Sequence, residues 1–231
     1  MVVTVAVVLV VSGALVLGAA WGTYGRLPAG LEGFIVALAG GALMVSAVLE
    51  LIEPSSRKVT MWAAGGMVVA GSVVFAGLDR LVKSRSSGGG AGLLAAITLD
   101  GIPENVALGV ALIGTGPAGA AALSGSILLS NLPEAAGGAK EMAQGDRSKP
   151  AVMGLWVATA GLLSVAALAG HLFMAGAPAG LLALVRCFAG GAVVGSLAIE
   201  VFPQAFKEEG YLVGLAVALG LVLALYLDRL G

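Results

Sequence analysis

The sequence predicts an all-α integral membrane protein with eight transmembrane helices. Hydrophobic residues make up 59% of the chain and charged residues only 11%, whereas a soluble domain has about 25% charged residues. The hydrophobic residues come in runs of about 18 or more, and these runs lack the alternation of a barrel strand. We therefore expect residues 1–231 to form a single polytopic transmembrane domain.

Polar breaks divide the chain into eight predicted spans. The spans cover residues 2–21, 31–53, 61–79, 91–113, 118–140, 151–174, 179–206 and 211–228. The first span lacks the basic residues that open a signal peptide, so we expect it to be retained as a helix.

The distribution of basic residues predicts the orientation in the membrane. Eight of the twelve Lys and Arg residues lie in the breaks that follow spans one, three, five and seven. The positive-inside rule assigns these breaks to the cytoplasm, which leaves both termini outside it in a cell membrane. The eight residues are Arg26, Arg80, Lys83, Arg85, Lys140, Arg147, Lys149 and Lys207.

Span four contains two carboxylates, Asp100 and Glu104, with Pro103 between them. Residues four apart share one face of a helix. Each ionised carboxylate near the bilayer centre costs about 2.5–3.5 kcal/mol unless a partner offsets that cost. The proline also removes the backbone donor for the carbonyl of Leu99. The two carboxylates and the freed carbonyl are oxygen ligands of the kind that cations bind, so the sequence predicts a cation site here.

Span five repeats the pattern with Ser130, Asn131 and Glu134. The estimated depths of Glu104 and Glu134 overlap when spans four and five are antiparallel neighbours. Two apposed glutamates cannot both ionise at low cost, so they must share a proton or bind a cation. A divalent ion between them resolves the conflict, and a protonated carboxyl pair joining the helices is the structural alternative.

A longer repeat links spans two and seven. Residues 39–50, AGGALMVSAVLE, match residues 189–200, AGGAVVGSLAIE, at six positions. These spans run in opposite directions on the eight-span count, which is typical of an inverted-topology repeat. The repeats end at Glu50 and Glu200, expected nearer the outer and the cytoplasmic face. We interpret both as stations on the path, the alternative being boundary carboxylates that reach water.

The paired motifs DGIPEN (100–105) and SNLPEA (130–135), together with eight spans and external termini, resemble the ZIP (Zrt-, Irt-like) metal transporters. The resemblance covers most of the chain. It implies a 3+2+3 helix arrangement and transport of a divalent transition metal of the Zn, Fe and Mn class toward the cytoplasm. Carried over by position, the metal site would consist of Asp100, Glu104, Ser130, Asn131 and Glu134, with Glu200 at the family's acidic position on span seven.

This chain departs from the family pattern at several ligand positions. Asp100 stands where the family usually has histidine, Gly101 where it has asparagine, and Ser130 where it has histidine or another strong ligand. Ser164 is the nearest match to a span-six glutamate that some members use for a second metal. The remaining oxygen-dominated site suits Mn²⁺, Fe²⁺ or Mg²⁺ relatively better than an imidazole site would.

The rest of the composition adds few candidate groups. The lone histidine, His171, is expected to be a hydrogen-bonded interface residue rather than a ligand. The single Cys187 excludes an internal disulfide. A net charge of −1 gives no indication of nucleic-acid binding. The expected partners are the transported metal ion and the lipid bilayer, without a prosthetic group, and a homodimer is left open.

Three other functions use the same intramembrane acids. A proton-coupled carrier of a small solute would employ them as a proton relay. An intramembrane hydrolase would need two apposed aspartates, one in a Gly-x-Gly-Asp setting, but Thr-Leu precedes Asp100. A non-transporting relative would merely keep the fold. We do not expect an enzyme.

Overall fold

The computed structural model describes residues 2–25, 31–85, 90–114, 117–145 and 147–230. Side chains are outside this description at residues 2, 85, 90–97, 99, 100, 103, 117–120, 122, 123, 126, 228 and 230. Asp100 belongs to that group, so its backbone position is described and its side chain is not. All regular structure within the described residues is helical.

Eight helices coincide with the eight predicted spans, and their ends differ by a few residues. They are α1 Val2–Tyr24, α2 Leu31–Ser46, α3 Met61–Arg85, α4 Gly90–Ala111, α5 Pro117–Gln144, α6 Lys149–Met174, α7 Ala179–Ser196 and α8 Leu212–Leu230. Two are extended. A π-helical turn, π1 (Ala47–Ile52), and a short helix, Glu53–Ser56, follow α2, and π2 (Leu197–Val201) and Phe202–Glu209 follow α7.

Five segments of the described chain are long and apolar enough to cross a bilayer, which agrees with a multi-pass membrane protein. These segments are Val3–Tyr24, Leu31–Ser56, Met61–Ser84, Lys149–Met174 and Ala179–Glu209.

Glycines let α2 and α7 approach their neighbours at corresponding positions. A Cβ on Gly41 of α2 would overlap the backbone of Val217 on α8, and a Cβ on Gly191 of α7 would overlap Val68 on α3. The converse contacts also correspond, with Gly220 against Leu38 and Gly71 against Phe188. Such small residues allow close helix packing in a membrane. Gly41 and Gly191, which occupy the same position in the 39–50 and 189–200 repeats, therefore make equivalent contacts.

Both repeats also change from α to π geometry at equivalent positions. The π turns begin at Ala47 and Leu197, and they contain Glu50 and Glu200. A π turn is rare and is often found at functional sites, since it alters the direction of the side chains that follow it. The sequence periodicity did not predict either turn.

Gly71→Ala should destabilise the protein, whereas Gly77→Ala on the same helix should not. A methyl group at 71 would meet the carbonyl of Phe188, which is backbone and cannot rotate away, while position 77 faces open space. We expect a loss of about 1–3 kcal/mol at 71 and a gain of up to about 1 kcal/mol at 77. Thermal unfolding in detergent measures both, and equal melting temperatures would contradict the close approach of α3 and α7.

Candidate metal site

Glu104 is a buried acid on α4, which runs through Pro103 without ending. The residue is 9% exposed, and its Oε1 has no hydrogen-bond partner in the described part of the protein. Leaving a buried carboxylate without partners is expensive. This atom therefore requires a proton or a cation.

Glu104, Ser130 and Glu134 line one small cavity between α4, α5 and the second repeat. Its volume is about 10 Å³, roughly the space that one water molecule or ion needs. The structure thus brings three of the six predicted ligands to one point. Residues of α2, α7 and π2 complete the wall, namely Leu43, Ala192, Val193, Ser196, Leu197 and Val201.

Two buried asparagines brace the helices that carry these acids. Asn131 is 3% exposed, and its Nδ2 donates to the carbonyl oxygen of Val11 on α1 at 3.4 Å. Asn105 is 1% exposed and donates to the carbonyl oxygen of Gly101 at 2.8 Å. Asn131 is thus engaged with α1, and Asn105, which the sequence-based site did not include, satisfies backbone near the Pro103 position.

The metal-ligating groups within the described residues are few. No group of three or more His, Cys, Asp or Glu side chains among them is arranged to hold a metal ion. The α4 backbone carries Asp100 one turn before Glu104, but its side chain lies outside the description. The described site therefore consists of two carboxylates and one hydroxyl.

Helix α6 contributes packing rather than ligands at this level. A Cβ on Gly101 would meet the buried Leu163 side chain at 2.6 Å. The hydroxyl of Ser164 is 2.6 Å from that of Ser12 and donates to the carbonyl oxygen of Ala160. The resemblance would allow a further metal ligand from span six on this side of α4. In the structure, the Leu163 side chain and the Ser12–Ser164 hydroxyl pair are found there instead.

His171 joins α6 to α4 as an interface residue, as predicted. Its Nδ1 is 3.1 Å from the carbonyl oxygen of Gly109. Cys187 is a free, buried thiol, which agrees with its expected role as a small apolar residue.

A second, wider cavity reaches the same acids from one end of the bundle. It has a volume of about 410 Å³, and Ser130 and Glu134 line it as well as the small cavity. Its wall also includes Glu200 and Lys83, and the exposed side chains of Glu141 and Lys207 mark its mouth. Water can therefore approach Glu134 from the end where α5 finishes.

An apolar cluster closes the opposite side of the small cavity. Its α4 members follow Glu104 and its α5 member precedes Ser130, so the cluster lies toward the α4–α5 turn. The buried members are Val11, Leu43, Ala47, Leu51, Ala107, Leu108, Ala111, Leu112, Ile127, Ala189, Val193 and Leu197. The acids are accordingly open to one end and sealed from the other.

Glu200 forms an ion pair on the wall of the wide cavity. Its Oε1 is 2.5 Å from Nζ of Lys83, and the same Nζ is 2.9 Å from Oδ1 of Asp79. The sequence-based site did not include Asp79. Two signals were available, because Asp79 and Lys83 are four residues apart on one helix and LDRL recurs at 78–81 and 227–230.

The other repeat glutamate, Glu50, lies near a buried arginine. Arg186 is 7% exposed, and the Glu50 charge is close enough to interact with it. Its Nη2 donates to the carbonyl oxygens of Val110, Ala111 and Ile113 at 3.0, 3.2 and 2.8 Å. Arg186 therefore caps the C-terminus of α4, where the helix dipole favours a cation.

No protein-family model matches this chain, and no curated protein gives a significant match to its sequence.

Proposed function

We propose that this protein is a ZIP-like transporter that moves a divalent transition-metal ion toward the cytoplasm. One observation supports the proposal above all. Glu104 and Glu134, from two different helices, line one ion-sized cavity, and one Glu104 oxygen there has no hydrogen-bond partner among the described residues. A divalent cation would neutralise both carboxylates at once, which a single proton cannot do.

In the proposed site the ion binds near the midplane between α4 and α5. Glu104 and Glu134 supply the charged ligands, Ser130 supplies a neutral oxygen, and Asp100 adds a third carboxylate from α4. Water entering through the wide cavity would complete the coordination shell. An all-oxygen set of this kind suits Mn²⁺ and Fe²⁺ and also binds Zn²⁺.

The proposed architecture places α4 and α5 between two inverted triplets, α1–α3 and α6–α8. The equivalent glycine contacts and π turns of the two repeats support this arrangement. The LDRL recurrence extends the same relationship to α3 and α8. Both triplets pack on the site helices, with Gly22 of α1 against Ala136 and Gly109 of α4 against Ala167 of α6.

The proposed direction of transport combines the basic-residue bias with the position of the cavities. The wide cavity is lined by Lys83 and Lys207, two of the basic residues that the positive-inside rule assigns to the cytoplasm. The described conformation would then be open inward and sealed outward by the apolar cluster. Alternating access would require that cluster to separate.

A labelling experiment tests this orientation. In a Cys187→Ala background, Lys58→Cys should react with a membrane-impermeant maleimide added outside intact cells, and Lys207→Cys should react only after permeabilisation. Both positions are exposed and lie at opposite ends of the bundle. External labelling of Lys207→Cys alone would reverse the proposed topology.

Uptake by the purified protein in liposomes tests the transport function directly. Manganese, iron and zinc should each be offered at the outer face, with empty liposomes as the control. The small cavity at Glu104 has about the volume of one ion, so we expect metal accumulation. Solute-driven proton flux with no effect of metal would instead favour a proton-coupled carrier.

A further inference from the structure

Glu32 at the start of α2 places its carboxylate on the surface of α5. Its Oε2 accepts a hydrogen bond from Nζ of Lys140 at 3.0 Å. Its other oxygen lies against Gly137, where a Cβ would overlap it. The missing side chain of Gly137 therefore forms a notch that receives the carboxylate, and Lys140 closes the notch with a positive charge. The Glu32 side chain is only 13% exposed as a result.

This contact joins two groups of helices. Close approach at glycines pairs α1 with α5 and α4 with α6 in one group, and α2 with α8 and α3 with α7 in the other. A buried cluster adds α6 to α1 and α5, and contacts at the π turns hold α2 to α7. Among the described glycines with close neighbours on another helix, Gly137 is the one whose nearest atoms belong to the other group.

The contact lies at the end of the bundle where the acids are open to water. Glu32 and Gly137 line the wide cavity, and together with Lys140 they line a neighbouring cavity of about 290 Å³. The apolar cluster that seals the other end lies between the same two groups, since Ala107 belongs to α4 and Leu43 to α2. Separation of that cluster requires the groups to shift, and a shift of α2 against α5 would pull Glu32 out of its notch.

We infer that the Glu32–Lys140 pair, seated at Gly137, is a latch that holds the two helix groups in the described conformation and opens when the apolar cluster separates. Both charges regain water when the pair opens, so opening costs far less than the attraction between the ions. Such a contact can form and break repeatedly. The part of the latch in transport rests on the proposed function, whereas its effect on the conformation does not.

Two cysteine reporters test the latch in a Cys187→Ala background. Ala107→Cys lies in the apolar cluster, where the native residue is 2% exposed, and Ile199→Cys lies on the wall of the wide cavity, where the native residue is 38% exposed. Gly137→Ala evicts the carboxylate but keeps both charges. In detergent it should accelerate the reaction of Ala107→Cys with a charged methanethiosulfonate by about three- to tenfold and slow that of Ile199→Cys.

Charge variants and matched controls accompany this measurement. Lys140→Met should have the same two effects as the glycine variant, and Lys140→Arg should restore both native rates because it keeps the positive charge. Gly125→Ala is the control for Gly137→Ala, since position 125 on the same helix faces open space. Lys207→Met removes a charge from the wide cavity without touching the notch and should leave both reporters unchanged.

A purely structural contact gives a different result. The inference is overturned if Gly137→Ala and Lys140→Met lower the melting temperature while neither reporter changes its rate. It is also overturned if both reporters accelerate together, because general loosening exposes both positions. Opposed changes in a protein that takes up no metal would refute the transport proposal and keep the latch, whereas metal uptake with unchanged reporters would refute the latch alone.

Discussion

Replacing either Glu104 or Glu134 with glutamine should reduce metal uptake by at least about 100-fold. Loss of an outer-sphere partner alone typically lowers metal affinity about 10–100-fold, and these carboxylates would contact the ion directly. Glutamine keeps the size of the side chain, so the small cavity should persist. Uptake of radioactive manganese into proteoliposomes measures the effect, and metal-content analysis should give a parallel loss of bound ion.

Glu53→Gln provides the matched control for these two variants. Glu53 is a partly exposed carboxylate that pairs with Arg57 beyond π1, away from both cavities. Its neutralisation should leave uptake within about twofold of the native rate, because exposed ion pairs contribute little. Unchanged uptake in both Glu104→Gln and Glu134→Gln would refute the site assignment.

Arg186→Met should lower the free energy of unfolding by about 2–4 kcal/mol. Each hydrogen bond to a charged group is worth about 1.5–3 kcal/mol, and the total loss is smaller than the sum because the freed carbonyl groups regain part of that energy from other partners. The substitution removes the charged donor that three carbonyl oxygens at the end of α4 share. It also removes the positive charge near Glu50. The melting temperature in detergent should fall by several degrees.

Two companion variants separate the cap from a general charge effect. Arg57→Met removes an exposed arginine whose side chain is 77% accessible, and it should change stability by less than about 0.5 kcal/mol. Arg186→Lys keeps the charge but loses the planar fork of donors, so it should recover only part of the loss. Equal melting temperatures for Arg186→Met and Arg57→Met would show that the cap contributes no stability.

The hydrophobic pattern of the sequence predicts the helices well because each span must satisfy its backbone internally. All eight spans coincide with helices, and the motifs around Glu104 and Glu134 lie on adjacent helices that share a cavity. The identical spacing of proline and glutamate in the two motifs made that pairing predictable. The polar breaks between the hydrophobic runs also predicted the ends of most helices to within a few residues.

Contacts made by long basic side chains could not be predicted in the same way. Lys83 was used only to set the orientation and Arg186 was given no role, because basic residues near span ends usually reach water. Their partners, Glu200 and the end of α4, are more than seventy residues away in the chain. Only the packing of α7 beside α3 and α4 brings these groups together.

The sequence repeat likewise did not reveal the π geometry. Both π turns are made of apolar residues and one glutamate, which would be equally acceptable in an α-helix. The tertiary contacts are distinctive, since Gly190 packs on Ile52 of π1 and Gly40 packs on Val201 of π2. Each repeat thus supports the irregular turn of the other.

The unequal lengths of the two π turns explain how the halves of this protein tolerate a difference in residue number. Pro54 follows Glu50 by four positions, but Pro203 follows Glu200 by only three. The longer interval coincides with the longer turn, because π1 has six residues and π2 has five. The additional residue is accommodated by a local widening of the helix. In a regular α-helix, one inserted residue would rotate every later side chain about the axis. Here the acid and the proline of each half keep corresponding places.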